Sequence, residues 1–107
     1  MSDYDLYFDL ILELIGKIER SLRKSLRDED SWDAILMRFQ VIGENIKNLP
    51  QDLLKKHSEI NWRKFYSFRN DISHEYLNVP ETILMNLVNE LPKLKKAIIK
   101  MRSEVKK

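Results

Sequence analysis

The feature that most constrains the fold is the spacing of apolar residues, which recur three or four positions apart almost throughout the chain. Only two glycines and three prolines interrupt the 107 residues. No stretch alternates apolar and polar residues as a strand does. This spacing predicts amphipathic helices, and short connectors make successive helices antiparallel neighbours. The sequence therefore predicts an all-α fold, an up-and-down four-helix bundle with one short additional helix.

The first two predicted helices cover nearly half of the chain. The first runs from about Asp3 to Arg27, and the second extends to about Asn48 with Asp30 or Ser31 as its N-cap. Each helix has one apolar stripe that we expect to be buried. These stripes are Tyr7, Leu10, Ile11, Leu14, Ile18, Leu22 and Leu26 in the first helix and Trp32, Ile35, Leu36, Phe39, Ile42 and Ile46 in the second.

Proline and asparagine residues mark the remaining helices. Pro50 fits the first position of a short helix that ends near Lys56, and Asn61 can cap the next helix. Pro80 opens the last helix, which Pro92 should kink or divide in two. The apolar stripe expected in that last helix is Ile83, Leu84, Leu87, Val88, Leu91, Leu94, Ile98 and Met101.

Gly43 lies in the middle of the second helical pattern. A glycine inside a helix costs about 1 kcal/mol relative to alanine. The simplest explanation is a close approach of another helix at this position.

Composition excludes several classes of protein. The 43% apolar fraction excludes disorder, and the 34% charged fraction excludes a membrane protein, since no apolar stretch is long enough to span a bilayer. The acidic N-terminal residues do not resemble a secretory signal. The absence of cysteine removes disulfides, thiolate nucleophiles and Cys-based zinc sites. We therefore expect one cytoplasmic domain over residues 1–107, without a cofactor. With two histidines, no dedicated metal site is expected either.

Charge is distributed unevenly, although the net charge is only +2. The first stretch is acidic and the last stretch is strongly basic. Two interpretations of the basic end remain open. It could contact phosphates, or it could be a solvated helix end whose cations suit the negative pole of the helix dipole, which is the commoner case.

Reactive side chains are concentrated in residues 68–76, Phe-Arg-Asn-Asp-Ile-Ser-His-Glu-Tyr. Arg69 is permanently charged and its forked donors match a phosphate. His74 can accept and return a proton near neutral pH. RNA supplies its own nucleophile, the 2′-OH, so an arginine and a histidine suffice to cleave it. For both to act on one group, the helix should end or tighten between them, or the arginine must reach around it.

This segment resembles the Arg-x4-His-x-Tyr motif of the HEPN ribonuclease superfamily, with a polar residue, Asn70, directly after the arginine. More closely, the chain from about Asp5 to Ile99 is similar to the HepT-like toxin branch of that superfamily. The resemblance also rests on Ile-Gly-Glu at 42–44 and on Ile-Asn-Trp-Arg at 60–63. Asn61 departs from the family pattern, in which proline is expected before the tryptophan.

The resemblance implies a HEPN-like bundle and a metal-independent endoribonuclease toxin that acts as a homodimer, with the two motifs facing each other across the interface. Its RNA substrate, tRNA or mRNA, would be cut by Arg69 and His74, which Asn70 orients. The partner would be a nucleotidyltransferase antitoxin that adenylylates Tyr76 and so inhibits cleavage. No membrane partner is implied.

Each assigned residue also has a simpler interpretation. Arg69 could pair with Asp71, Glu75 or Glu44, so Asp71 and Glu44 are candidate supporting residues. His74 could merely suit the helix dipole, and Tyr76 could be a half-buried aromatic.

Other residues have a structural interpretation. Trp62, Phe65 and Phe68 are expected in the core or a dimer interface, and His57 is expected in an exposed loop. The rival function is a non-catalytic helical protein that binds a nucleotidyltransferase, a nucleotide or RNA without cleaving it.

Overall fold

The computed structural model describes residues 3–24, 29–67 and 81–105. Within these ranges the chain forms helices and no strands. The helices are α1 (Asp3–Lys24), α2 (Glu29–Lys47), α3 (Gln51–Lys56), α4, helical over residues 62–67, and α5 (Glu81–Val105). The all-α prediction is confirmed. The molecule measures 43 × 26 × 23 Å, and its long dimension fits α5, whose 25 residues span about 38 Å.

Helix α1 packs against both α2 and α5. Because it has neighbours on two sides, its buried surface is wider than one stripe, and Phe8 and Ile15 are fully buried beside the predicted Ile11 and Ile18. The prediction for Leu10 was wrong: its side chain is 37% exposed.

Helix α2 includes Glu29, so neither Asp30 nor Ser31 is its N-cap, and that prediction was wrong. Both residues belong to the first helical turn, where short polar side chains are also common. The predicted stripe of α2 is confirmed: Trp32 is half-buried and packs against the core, and the other five residues are buried.

The connection from α2 to α4 is built from short turns. Pro50 occupies the position before α3 instead of its first turn, and its carbonyl accepts the N–H groups of Leu53 and Leu54, each at 3.1 Å. Asn61 directly precedes α4, as predicted, and its carbonyl accepts the N–H of Lys64 at 3.1 Å. These bonds close the first turns of α3 and α4.

Helix α5 is continuous through Pro92, so the prediction that this proline could divide the helix was wrong. Pro92 is exposed, whereas Leu91 and Leu94 on either side of it are buried. Packing of the flanking residues therefore holds both halves of α5 on the core despite the hydrogen bond that proline removes. Ile83, expected in the stripe, is 38% exposed.

Two ion pairs join α1 to α5, each with its carboxylate on α1 and its cation on α5. Arg102 Nη1 lies 2.8 Å from Asp9 Oδ1, and Lys95 Nζ lies 3.4 Å from Glu19 Oε1. Part of the basic charge noted in the sequence is thus paired within the bundle. No helix in the described ranges is long and apolar enough to cross a membrane.

Candidate active site

The predicted active-site segment follows α4 directly. Arg69, Asn70, Asp71, His74 and Tyr76 all lie outside the described residues, so their roles stay predictions. Phe68, an expected core or interface residue, lies outside them as well. The structure does describe the residues that lead into this segment and the helices that hold them.

Gly43 permits α2 and α4 to touch through their backbones. A Cβ atom at position 43 would overlap the carbonyl oxygen of Phe65 and would lie 3.1 Å from the Cα of Tyr66. Any side chain there would push α4 away, because the atoms it meets belong to the backbone. The close approach predicted from the position of Gly43 is confirmed, and it fixes α4 three residues before Arg69.

Glu44 follows this contact on α2 and is half-buried. Two roles are predicted for Glu44: it could hold Arg69 from the neighbouring helix, or it could be a polar neighbour of Gly43. Its place beside the α2–α4 contact is compatible with both. The supporting role of Glu44 toward Arg69 therefore stays a prediction.

Trp62 anchors the start of α4. Its side chain is 7% exposed, and its indole N–H donates to the carbonyl oxygens of Leu54, at 2.9 Å, and His57, at 3.0 Å. Phe65, one turn later, is 1% exposed. Both residues belong to the core, one of the two alternatives predicted. A buried indole with its polar atom bonded to the backbone does not form a base-stacking platform.

His57 is buried, with 4% of its surface exposed, so its assignment to an exposed loop was wrong. Its Nδ1 lies 3.4 Å from Glu59 Oε1 and its Nε2 lies 3.2 Å from Glu104 Oε2. Each ring nitrogen thus lies within hydrogen-bond distance of a carboxylate oxygen. The carboxylate of Glu104 comes from α5, far along the chain, so the local sequence could not reveal this arrangement. His57 therefore joins the turn after α3 to the end of α5.

Hydrogen bonding lowers the pKa of Glu59 below its usual value. The largest cause is a hydrogen bond from the backbone N–H of Glu59 itself, which desolvation opposes; the hydrogen bond and charge of His57 and the charge of Lys100 lower the pKa further. Glu59 is thus favoured as a carboxylate beside the buried imidazole.

An open cavity of about 560 Å³ lies where α3, the turn after it and α4 meet. Its lining combines apolar Leu54 and Ile60 with the cations Lys55 and Arg63 and with half-buried Tyr66. Tyr66 also borders the Gly43 contact. The cavity therefore adjoins the last described residues before the predicted motif.

Arg38 was not predicted from the sequence as a functional residue, because it lies between apolar Met37 and Phe39. Its guanidinium extends from α2 to α1, where Nη1 donates to Ser21 Oγ at 2.8 Å and to the carbonyl of Lys17 at 3.4 Å. The sequence does contain one local indication that Arg38 has a role outside its own helix. No carboxylate lies three or four residues from Arg38 on its own helix, which leaves its charge unpaired within α2. In the described part of the chain, no group of three or more side chains is arranged to hold a metal ion.

Comparison with known proteins identifies a family that covers most of the chain. The family described as "Ribonuclease HepT-like" matches residues 9–101, a range that contains the whole of the motif segment. No solved structure matches the chain.

Two curated relatives are similar over nearly all of the chain. A Methanocaldococcus jannaschii protein named "Gamma-glutamylcyclotransferase and putative RNase" is 32% identical over 99% of this chain, which spans only 50% of that protein. A Thermococcus cleftensis protein named "Probable ribonuclease HepT" is 33% identical over 90% of this chain and 93% of its own length. A third, from Caldanaerobacter subterraneus and named "Putative RNase", is 31% identical over 73% of this chain and 70% of its own.

Proposed function

The chain belongs to the ribonuclease HepT-like family, and we propose that it is a metal-independent endoribonuclease in which Arg69 and His74 cleave RNA. The predicted family is confirmed, and with it the predicted enzyme class, a ribonuclease. The single observation that carries the proposal is that the family match covers residues 9–101 and so includes residues 69–76, where both catalytic candidates lie.

The proposed reaction needs only groups that the chain and the RNA supply. His74 takes the proton of the 2′-OH, the 2′-oxygen attacks the adjacent phosphorus, and the bond from phosphorus to the 5′-oxygen breaks. The imidazolium then returns its proton to the leaving 5′-oxygen. Arg69 stabilises the charge that develops on the phosphate, and Asn70 orients these two groups. The products are a 2′,3′-cyclic phosphate and a 5′-hydroxyl.

The described helices support this proposal by the way they hold α4. The buried indole of Trp62 holds the start of the short helix from which the motif continues, and the backbone contact at Gly43 holds its later residues. A catalytic pair must be held to within a fraction of an ångström to be effective. The rigid approach to the motif is suited to that requirement.

The proposal extends to partners and regulation. The protein would work in the cytoplasm as a homodimer, in which a two-fold axis brings the two motifs together. A nucleotidyltransferase antitoxin encoded with it would transfer AMP to Tyr76. The added bulk and negative charge beside Arg69 would exclude RNA. Asp71 and Glu44 would support the arginine.

An RNA cleavage assay in excess EDTA tests the catalytic proposal. Mass spectrometry first verifies that the wild-type protein is unmodified. Wild type should then cleave tRNA or a defined single strand of RNA and leave cyclic-phosphate ends, whereas His74→Ala should not cleave either. The chain provides a matched control in its other histidine. His57→Gln alters a buried structural residue and should retain cleavage at temperatures where the variant is folded. Inactivity of the unmodified wild type on all substrates would favour a non-catalytic binding partner.

The regulatory proposal has its own test. Incubation with the nucleotidyltransferase and ATP should add AMP to wild type and abolish cleavage. Tyr76→Phe should remain active and gain no mass. Addition of AMP to the Tyr76→Phe variant would move the modification to another residue and refute this part of the proposal.

A further inference from the structure

A basic cleft lies between α1 and α2, at residues that the proposed catalytic motif does not include. It is a cavity of about 280 Å³ lined by Lys17, Arg20, Ser21 and Arg38. Three of its four lining residues are cations and the fourth carries a hydroxyl. This composition differs from that of the larger cavity at α3 and α4, whose lining also includes apolar residues and the carboxylate of Glu59.

The orientation of Arg38 is fixed by two hydrogen bonds from one nitrogen. Nη1 donates to Ser21 Oγ and to the Lys17 carbonyl, and the side chain is half-buried between the helices. A guanidinium has five N–H donors in a planar fork, so donors remain for another acceptor. Arg38 is thus positioned in advance, which reduces the entropy lost when it binds an anion.

The charge of the cleft is only partly balanced. Lys17 Nζ lies 3.4 Å from the exposed carboxylate of Glu13. For Arg20 and Arg38, every residue three or four positions away on the same helix is uncharged or basic. Among the described residues, the ion pairs of Lys and Arg with carboxylates belong to Lys17, Lys95 and Arg102. Two arginines therefore face the cleft without an acidic partner in the part of the chain that the structure describes.

We propose that this cleft binds a phosphate of the RNA chain, outside the scissile bond. Forked arginine donors and a hydroxyl are groups that commonly contact the backbone of nucleic acids. Such a contact carries no sequence information but fixes the register of the strand on the protein. This inference rests on the proposed ribonuclease function, and it adds a second point of attachment to the catalytic motif. Arg38 and Arg20 are then binding residues and do not touch the reacting atoms.

The test measures RNA binding as a function of salt, in the His74→Ala background so that no RNA is consumed. The logarithm of the affinity for single-stranded RNA falls with the logarithm of salt concentration by roughly 0.7 per phosphate contacted. Arg20→Gln and Arg38→Gln should each reduce the steepness by roughly that amount. Lys96→Gln, which removes an exposed cation on α5, should leave the slope near that of the parent protein.

The use of two arginine variants distinguishes a loss of phosphate binding from a disturbance of the fold. Arg38 bridges two helices, so its loss could disturb their packing; Arg20 is exposed, and Arg20→Gln tests the same cleft without that risk. An unchanged slope in the folded Arg20 variant, or an equal change in Lys96→Gln, overturns the proposal.

Cleavage assays separate this proposal from the proposed function itself. In the active background, Arg20→Gln should raise KM for a long RNA with kcat unchanged, and should not affect a dinucleotide that is too short to reach the cleft. If wild type cleaves RNA and the slopes do not change, only the cleft proposal fails. If the slopes change and wild type does not cleave, the cleft stands as an RNA-binding site and the ribonuclease proposal fails.

Discussion

The imidazole of His57 and the carboxylate of Glu104 lie 3.2 Å apart although 47 residues separate them in the chain. The contact joins the turn after α3 to the last turns of α5. Glu59 faces the other imidazole nitrogen, at 3.4 Å. One buried histidine therefore connects two segments that have no helix in common, and the first of them leads into α4.

Replacing His57 should destabilise the protein more than replacing the other histidine. His57→Ala removes both contacts and leaves a cavity in a site that is 4% exposed, at a cost of about 1–3 kcal/mol. Urea denaturation followed by circular dichroism measures this cost. His74→Ala is the control and should unfold at nearly the wild-type urea concentration. An equal loss in the two variants would contradict the assigned roles.

The lowered pKa of Glu59 predicts a loss of stability in acid. Its pKa in the folded protein lies below the ordinary value of 4.5, so the carboxylate stabilises the fold above about that pH. This contribution disappears as the pH falls through the folded-state pKa, when both states bind the proton. The melting temperature of wild type should exceed that of Glu59→Gln near neutral pH, and the gap should close below pH 4.5. If the difference in melting temperature between wild type and Glu59→Gln widened in acid, the pKa of Glu59 would not be lowered by folding, and the assignment would be refuted.

Alanine should have opposite effects at the two glycines. Gly43→Ala forces a methyl group against the Phe65 carbonyl and should cost about 1–3 kcal/mol. At Gly16, the nearest atom to an added Cβ is Arg20 Nη1 at 3.5 Å, an ordinary contact. Gly16→Ala should therefore be neutral or stabilising by up to about 1 kcal/mol, because alanine favours a helix. Thermal unfolding of both variants checks this, and the displaced α4 should also lower the cleavage rate of Gly43→Ala.

The indole N–H of Trp62 should contribute measurably to stability. Trp62→Phe keeps an aromatic ring but removes the donor shared by the carbonyls of Leu54 and His57. Each carbonyl keeps one backbone N–H partner, so the expected cost is about 1–2 kcal/mol and not that of two orphaned groups. Trp32→Phe, at a half-buried position on α2, is the matched control. Equal midpoints for the two variants in urea would show that the donor is unimportant.

Periodicity predicted α1, α2 and α5 because each is long enough to repeat its apolar spacing several times. The helical pattern also predicted the close contact at Gly43, because a glycine destabilises a helix and its presence there indicates a compensating interaction. It failed where burial depends on a distant partner. His57 follows two lysines and appears exposed in sequence, and only the packing of Glu104 on α5 reveals its burial.

Tertiary packing also determined the structure at two other positions, Pro92 and Arg38. Local preference predicted that Pro92 would kink or divide the last helix, yet the buried leucines on both sides keep α5 continuous. The basic cleft requires α1 and α2 to be placed side by side before Arg38 meets Ser21. The motif residues were predicted from their chemistry and from a family resemblance, and the family match over residues 9–101 supports the resemblance.

The contact at Gly43 has a consequence for genetic selection. A defect in a core made of side chains can be repaired by a second substitution that enlarges or reduces a neighbour. At Gly43 the opposing atoms are the carbonyl of Phe65 and the Cα of Tyr66, which every amino acid shares. No change of side chain can create space there. A search for second substitutions that repair the packing defect should therefore recover many for Ile42→Ala. For Gly43→Ala it should recover none in α4.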